Sequence, residues 1–137
     1  MSNIFDKTTD ALGSSMDFRL ARHNITSANI ANAETPGYKA KKVDFEEQLS
    51  RAIDLEDFPR MDSSNPNHFP IARGAITRVT PDVYDNPDVN LTNDKNSVDL
   101  EREMATLAEN SILYKATTEL IKKKLGALKY AISEGGR

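Results

Sequence analysis

The sequence predicts a mainly α-helical protein with two long terminal helices and an irregular centre. Apolar residues recur with a helical period at both ends, and all six prolines lie between residues 35 and 96. With 38% hydrophobic and 7% aromatic residues, the chain offers little material for a large core. We therefore expect an antiparallel, coiled-coil-like pair built from segments 1–34 and 97–137, with residues 35–96 as the central segment.

The N-terminal segment predicts a helix from about Asn3 to Asn32. Its apolar stripe repeats every seven residues, as on one face of a helix. Gly13 and several serine and threonine residues lower its intrinsic helicity, so we expect this helix to need a partner. Its predicted packing residues are Phe5, Leu12, Phe18 and Ile25.

The C-terminal segment carries the clearest signal. From Leu100 onward, apolar residues follow the 3.5-residue spacing of a coiled-coil seam, and no proline interrupts them. Acidic residues near Asp99 and lysines near Lys123 match the charge preferences of the two helix ends, and Gly135-Gly136 ends the helix. The predicted packing residues are Leu100, Met104, Leu107, Tyr114, Ile121, Leu125, Leu128 and Ile132.

The two apolar stripes are expected to meet each other and neighbouring molecules. The burial that one stripe offers is smaller than the entropic cost of ordering a helix of about 35 residues. We therefore expect neither end to be stably folded alone, and we expect self-assembly to supply the missing burial.

The central segment predicts small elements only. Asp44-Phe45-Glu46-Glu47 resembles a capping box that opens a short helix reaching about Ile53. The stretch from Met61 to Pro70 is typical of a loop. Residues Ile71 to Thr80 have modest strand character around Gly74, which predicts a small β element.

Catalytic chemistry has little support in this sequence. There is no cysteine, the only histidines are His23 and His68, and no nucleophile motif or glycine-rich phosphate loop is present. Lysine clusters lack interleaved aromatic residues, and no apolar run is long enough to span a bilayer. We predict a protein that is not an enzyme and has no cofactor, no metal, no nucleic-acid partner and no direct membrane insertion.

The segment from Asp88 to Asp99 resembles a calcium-binding loop. The matching positions are Asp88, Asn90, Thr92, Asp94, Asn96 and Asp99. Asn93 stands where the sharp turn calls for glycine, and the last ligand is aspartate instead of glutamate. A turn rich in Asn and Asp, followed by a helix cap, explains the pattern better than a calcium site does.

The most specific feature is the run from Ser27 to Tyr38, in which small residues and asparagines precede a Thr-Pro-Gly helix stop. This run resembles the signature of bacterial flagellar rod, hook and hook–filament junction proteins. The residues that carry the resemblance are Asn29, Ile30, Ala31, Asn32, Thr35, Pro36, Gly37 and Tyr38. The runs Val98 to Met104 and Leu107 to Asn110 are similar to the small proximal rod proteins of that family in particular.

The resemblance implies a structural subunit of the flagellar basal body, in the periplasm-spanning rod, that polymerises through its terminal helices and transmits torque for motility. The implied partners are copies of itself, other rod proteins, the adaptor that joins the rod to the membrane ring, and the type III export apparatus of the flagellum. Such export fits an N-terminus without a basic start and an apolar core. The alternatives are another small axial protein, a cytoplasmic helical chaperone or adaptor, and a calcium-binding module.

Overall fold

The computed structural model describes residues 6–55, 75–87 and 94–134. In chain order its elements are helix α1 (Lys7–Ala31), strand β1 (Lys41–Asp44), helix α2 (Glu46–Leu55), a short 3-10 helix (Ile76–Arg78), strand β2 (Asp82–Asp85) and helix α3 (Leu100–Glu134). The predicted fold class, with two long terminal helices around small central elements, is confirmed.

Helix α1 begins at Lys7, later than predicted, because Asp6 caps it. The Asp6 carboxylate accepts hydrogen bonds from the backbone N–H of Thr9 at 3.0 Å and from the Thr9 hydroxyl at 2.9 Å. A short acidic side chain at this position satisfies an N–H group that has no partner within the helix. The predicted start at Asn3 and the packing residue Phe5 lie outside the described residues.

Helix α3 contains 35 residues and is therefore about 50 Å long. Two contacts fix its direction relative to α1. The side-chain amide of Asn110 donates to the carbonyl of Arg19 at 2.8 Å, and the Lys124 ammonium lies 2.6 Å from the Asp6 carboxylate. Since the later residue of α3 lies beside the earlier residue of α1, the two helices are antiparallel, as predicted.

The hydrophobic core lies between α1 and the central elements. Its buried residues are Phe18, Val43, Phe45, Leu49, Ala52 and Ile76. The rings of Phe18 and Phe45 pack with centroids 5.3 Å apart. Helix α1 therefore has two kinds of neighbour, the long helix α3 and the small elements of the central segment.

The β element is a two-stranded antiparallel ribbon in which Val43 of β1 pairs with Val83 of β2. The strand predicted within residues 71–80 is wrong over its described part, because Ile76 enters the core as part of a 3-10 helix and has no strand beside it. Residues 71–74, including Gly74, lie outside the described residues.

The short central helix is present but starts later than the capping-box pattern predicted. Asp44 lies in β1, opposite Asp82, so α2 begins at Glu46 and ends at Leu55. Phe45 is buried, and its carbonyl accepts the Leu49 N–H at 2.8 Å, which opens the helix.

No helix within the described residues is long and apolar enough to cross a membrane.

Candidate assembly surface

The signature run forms the end of α1 and the turn that leads into β1. Asn29 is fully buried, and its side-chain amide donates to the carbonyl of Lys41 at 2.7 Å. Its side-chain oxygen accepts hydrogen bonds from the N–H of Lys41 at 3.0 Å and from the Tyr38 hydroxyl at 3.3 Å. The Asn29 side chain therefore pairs with the backbone of β1 in the way that a neighbouring strand would.

The end of α1 is held by two further side chains of the run, Asn32 and Thr35. The Asn32 amide donates to the carbonyl of Ala28 at 2.8 Å, and the Thr35 hydroxyl donates to the Asn32 side-chain oxygen at 3.2 Å. Gly37 has a φ of +73°, a conformation that side chains other than glycine rarely adopt. Ile30 is half-buried, whereas Ala31 and Pro36 are exposed.

The same turn is tied to the segment that precedes α3. Asn96 is buried, and its side-chain amide lies 2.8–2.9 Å from the carbonyl oxygens of Asn32, Ala33 and Thr35. Ser97 adds two further bonds, since its N–H donates to the Tyr38 carbonyl at 3.0 Å and its hydroxyl accepts the Ala40 N–H at 2.8 Å.

Residues 29–41 and 94–98, here named the signature junction, thus form one hydrogen-bonded unit. The position at which α3 starts is thereby fixed relative to the end of α1.

These contacts also bear on the calcium-like pattern. The amide of Asn96 is occupied by backbone carbonyls, and the Asp99 carboxylate accepts the N–H of Arg102 at 3.1 Å as a helix cap. Residues 88–93 lie outside the described residues, and no group of three or more His, Cys, Asp or Glu side chains within the described part could hold a metal ion. Within the described residues, this part of the pattern forms a turn and a helix cap, and Asp88, Asn90 and Thr92 lie outside them.

The side of α3 that faces α1 follows alternate steps of four and three residues, the spacing of a coiled-coil seam. Its members are Glu103, Leu107, Asn110, Tyr114, Thr117, Ile121, Lys124 and Leu128, all buried or half-buried. Four predicted packing residues, Leu107, Tyr114, Ile121 and Leu128, lie on this inner stripe. The other half of the stripe is polar.

The remaining predicted packing residues of α3 lie outside the inner stripe. Leu100, Met104 and Leu125 are 45%, 57% and 43% exposed, and Ile132 is 75% exposed. The expectation that Leu125 meets α1 stays a prediction. The polar residues Asn110, Thr117 and Lys124 are less exposed and lie on the inner stripe.

On α1, the predicted packing residues divide between two neighbours. Phe18 is buried against Phe45, and Ile25 packs against the same core. The expectation that these two residues also meet the α3 seam stays a prediction. Leu12 is half-buried. An aromatic residue is drawn to the larger apolar cluster, which α2 and the 3-10 helix provide.

Two charged residues hold the helix pair at its ends, and the apolar pattern did not reveal them. The hydrogen bond from Lys124, with help from the Thr9 backbone, lowers the pKa of Asp6 from 3.8 to about 2. At the other end, burial raises the pKa of Glu103, an effect that a hydrogen bond from Asn29 opposes. Glu103 therefore links the inner stripe to the signature junction. In the sequence, the only sign of these contacts is that Glu103 and Lys124 place a charge on the face of α3 that packs against α1.

Arg22 is a further residue that sequence reasoning missed. Its guanidinium donates to the Val43 carbonyl at 2.7 Å and pairs with the Glu46 carboxylate at 2.6 Å. It also lies 4.6 Å from the centre of the Phe45 ring, within the range of a cation–π contact. Arg22 thereby joins α1 to β1 and to the start of α2.

Large apolar side chains remain exposed around the rest of α3. Leu113 and Leu120 lie on one flank of the inner stripe, Met104 and Leu125 lie on the other, and Ile112 and Tyr130 lie on the opposite side of the helix. Several large apolar side chains exposed on one helix are typical of protein–protein contact sites. This surface can bury further helices, and it is the candidate assembly surface.

The chain is similar in sequence to a protein-family profile and to several known proteins. The family profile described as "Flagella basal body rod protein" matches residues 12–39, which include the whole signature run. The chain is 31% identical over 132 residues to "Flagellar basal body rod protein FlgB" of Aeromonas hydrophila, covering 96% of the chain and 97% of the relative. It is 30% identical over 140 residues to the protein of the same name from Bacillus subtilis, covering 97% and 98%. It is 33% identical over 118 residues to that of Cereibacter sphaeroides, covering 83% and 84%.

Proposed function

The chain belongs to the FlgB family of flagellar basal body rod proteins, and we propose that it is a structural subunit of the proximal rod of a bacterial flagellum. The observation that carries this proposal is the surface of α3. Its inner stripe packs against α1, while large apolar side chains elsewhere on the helix are exposed. Burial of those side chains between subunits would stabilise a polymer.

In this proposal the terminal segments 1–34 and 97–137 form the rod core domain, and the central segment 35–96 braces α1. The signature junction couples the two helices, so force applied to α3 reaches α1 through hydrogen bonds as well as through apolar contacts. Torque for motility would then pass through packed helices. The proposed role is structural, and the hydrogen bonds of Asn32 and Thr35 with side chains and backbone support it by holding the end of α1 in place.

The proposed partners are copies of this chain, other rod subunits, and the adaptor between rod and membrane ring. The flagellar type III apparatus would export the chain, and the basal body would be its final location. The alternative within the family, another small axial protein such as FlgC, is not favoured, since the relatives described above carry the FlgB name.

The experiment that tests the proposal is isolation of intact basal bodies from the bacterium that makes this chain. We expect the chain in the purified rod, and we expect deletion of its gene to abolish swimming. A cytoplasmic chaperone or adaptor would instead stay in the soluble fraction and be absent from the rod. That result would exclude the structural role.

A second measurement separates the same alternatives in solution. The purified chain at high dilution is expected to be weakly helical by circular dichroism, with protease-sensitive ends, because the exposed face of α3 lacks its neighbours. A free-standing chaperone bundle would show high helicity and cooperative melting.

A further inference from the structure

The outer face of α3, opposite the inner stripe, contains a glycine that no contact within the described residues requires. Gly126 is exposed in the interior of a 35-residue helix, and a methyl group added to it would meet no atom within 4 Å outside its own helix backbone. Glycine is the least favourable helix-interior residue after proline. The described part of the chain therefore gives no packing reason for Gly126.

Exposed apolar side chains lie on the same face as Gly126. Tyr130 is 64% exposed and lies one turn further along the helix, and Ile112 is 67% exposed on the same side. The small residues Ala105 and Ala108 are also exposed on this side, in the first half of the helix. A face with large apolar residues beside small ones allows two helix backbones to approach closely.

Charge along α3 indicates what covers this face. Outside the inner stripe, residues 99–109 contain Asp99, Glu101 and Glu109 against one base, whereas residues 115–134 contain Lys115, Lys122, Lys123 and Lys129 against two acids. The two halves of one helix are thus oppositely charged. A second α3 packed with its acidic half against the basic half of the first would be electrostatically matched.

We propose that the outer face of α3 binds the α3 helix of a second copy of this chain, with Gly126 at the point of closest approach to the acidic half of the neighbour. The proposal rests on the rod function proposed above and specifies one of its contacts. Gly126 is then selected by the assembled state and not by the fold of the single chain.

The substitution Gly126→Ala tests this directly, because it has opposite effects on the two states. Alanine favours the helix, so the isolated variant is expected to be at least as helical as the wild type by circular dichroism. In basal bodies, the added methyl group separates the helices, and the amount of chain recovered is expected to fall at least tenfold. Gly13→Ala, the same change in α1, is the matched control and is expected to keep wild-type recovery.

A photo-crosslinking residue identifies the neighbour. With p-benzoylphenylalanine in place of Tyr130, irradiated basal bodies are expected to yield a dimer of this chain, linked to residues 99–112 of the second copy. Wild-type recovery of Gly126→Ala, or a cross-link to a different protein, would overturn the proposal. Absence of the wild-type chain from basal bodies would instead refute the rod function itself, so the two failures are distinguishable.

Discussion

The side chain of Asn29 pairs with both backbone groups of Lys41, donating to its carbonyl at 2.7 Å and accepting its N–H at 3.0 Å. One buried amide thereby replaces a missing strand at the edge of β1. The amide also anchors the end of α1, because Asn29 belongs to that helix. The signature residue thus connects two elements that have no continuous hydrogen-bond ladder between them.

Replacement of Asn29 by alanine is expected to destabilise this connection. The Lys41 N–H and carbonyl would lose these partners in a partly buried site, at a cost of about 0.5–1.5 kcal/mol for each lost hydrogen bond. We expect a lower urea midpoint, measured by circular dichroism in buffer that contains a stabilising osmolyte. Asn24→Ala, at an exposed position of the same helix, is the control and should change the midpoint little.

Replacement of Asn96 by aspartate is expected to be worse than replacement by alanine. The Asn96 amide lies within hydrogen-bonding distance of three carbonyl oxygens, and a carboxylate at that position would only repel them. Hydrogen exchange at residues 32–40 and 97–100 should accelerate in both variants, and more in Asn96→Asp. Equal exchange in the aspartate variant and the wild type would show that the signature junction does not depend on this side chain.

Much of this architecture could be predicted from sequence, and the errors have physical causes. The 3.5-residue spacing predicted the length of α3 and the inner positions Leu107 and Ile121. It also selected Leu125, and not Lys124, as an inner residue. An apolar pattern cannot distinguish a helix face that is buried within one chain from a face that another subunit would bury. The seam positions Asn110 and Lys124 each make a polar contact with α1 or its cap that an apolar pattern does not predict.

The small elements were harder to predict because tertiary contacts decide them. Strand β1 has one apolar residue, Val43, and is fixed by β2 and by the amide of Asn29. Ile76 lies in a stretch with strand character but enters the core from a 3-10 helix. In both cases the residues have only a weak intrinsic preference for one conformation. Contacts with the neighbouring element therefore determine whether they form a strand or a helix.

Substitutions at two adjacent positions of α3 should distinguish a loss of folding from a loss of subunit assembly. Ile121 lies on the inner stripe, so Ile121→Asp is expected to weaken the α1–α3 pair by about 1–3 kcal/mol through lost apolar burial, and to abolish swimming. Leu120 is exposed on a flank, so Leu120→Asp should leave the isolated chain unchanged by circular dichroism yet also abolish swimming. At normal expression, normal swimming in Leu120→Asp would count against the assembly surface, and normal swimming in Ile121→Asp would count against the α1–α3 pair.

The Asp6–Lys124 contact should make the start of α1 sensitive to acid. The pKa of Asp6 is lowered from 3.8 to about 2, chiefly by the hydrogen bond from Lys124. A carboxylate with a lowered pKa in the folded state contributes stability that is fully present above its ordinary pKa and is lost as the pH falls from 3.8 toward 2. Hydrogen exchange near Thr9 should therefore accelerate over that range.

The variant Lys124→Met provides the control for this titration. Without the ammonium group, the pKa of Asp6 followed by carboxyl NMR should rise toward 3.8, although the Thr9 bonds will keep it somewhat lower. The acid-dependent loosening near Thr9 should then begin at higher pH and be smaller. An unchanged Asp6 titration in Lys124→Met would show that Lys124 does not hold the N-terminal end of the helix pair, because no other described contact joins Asp6 to α3.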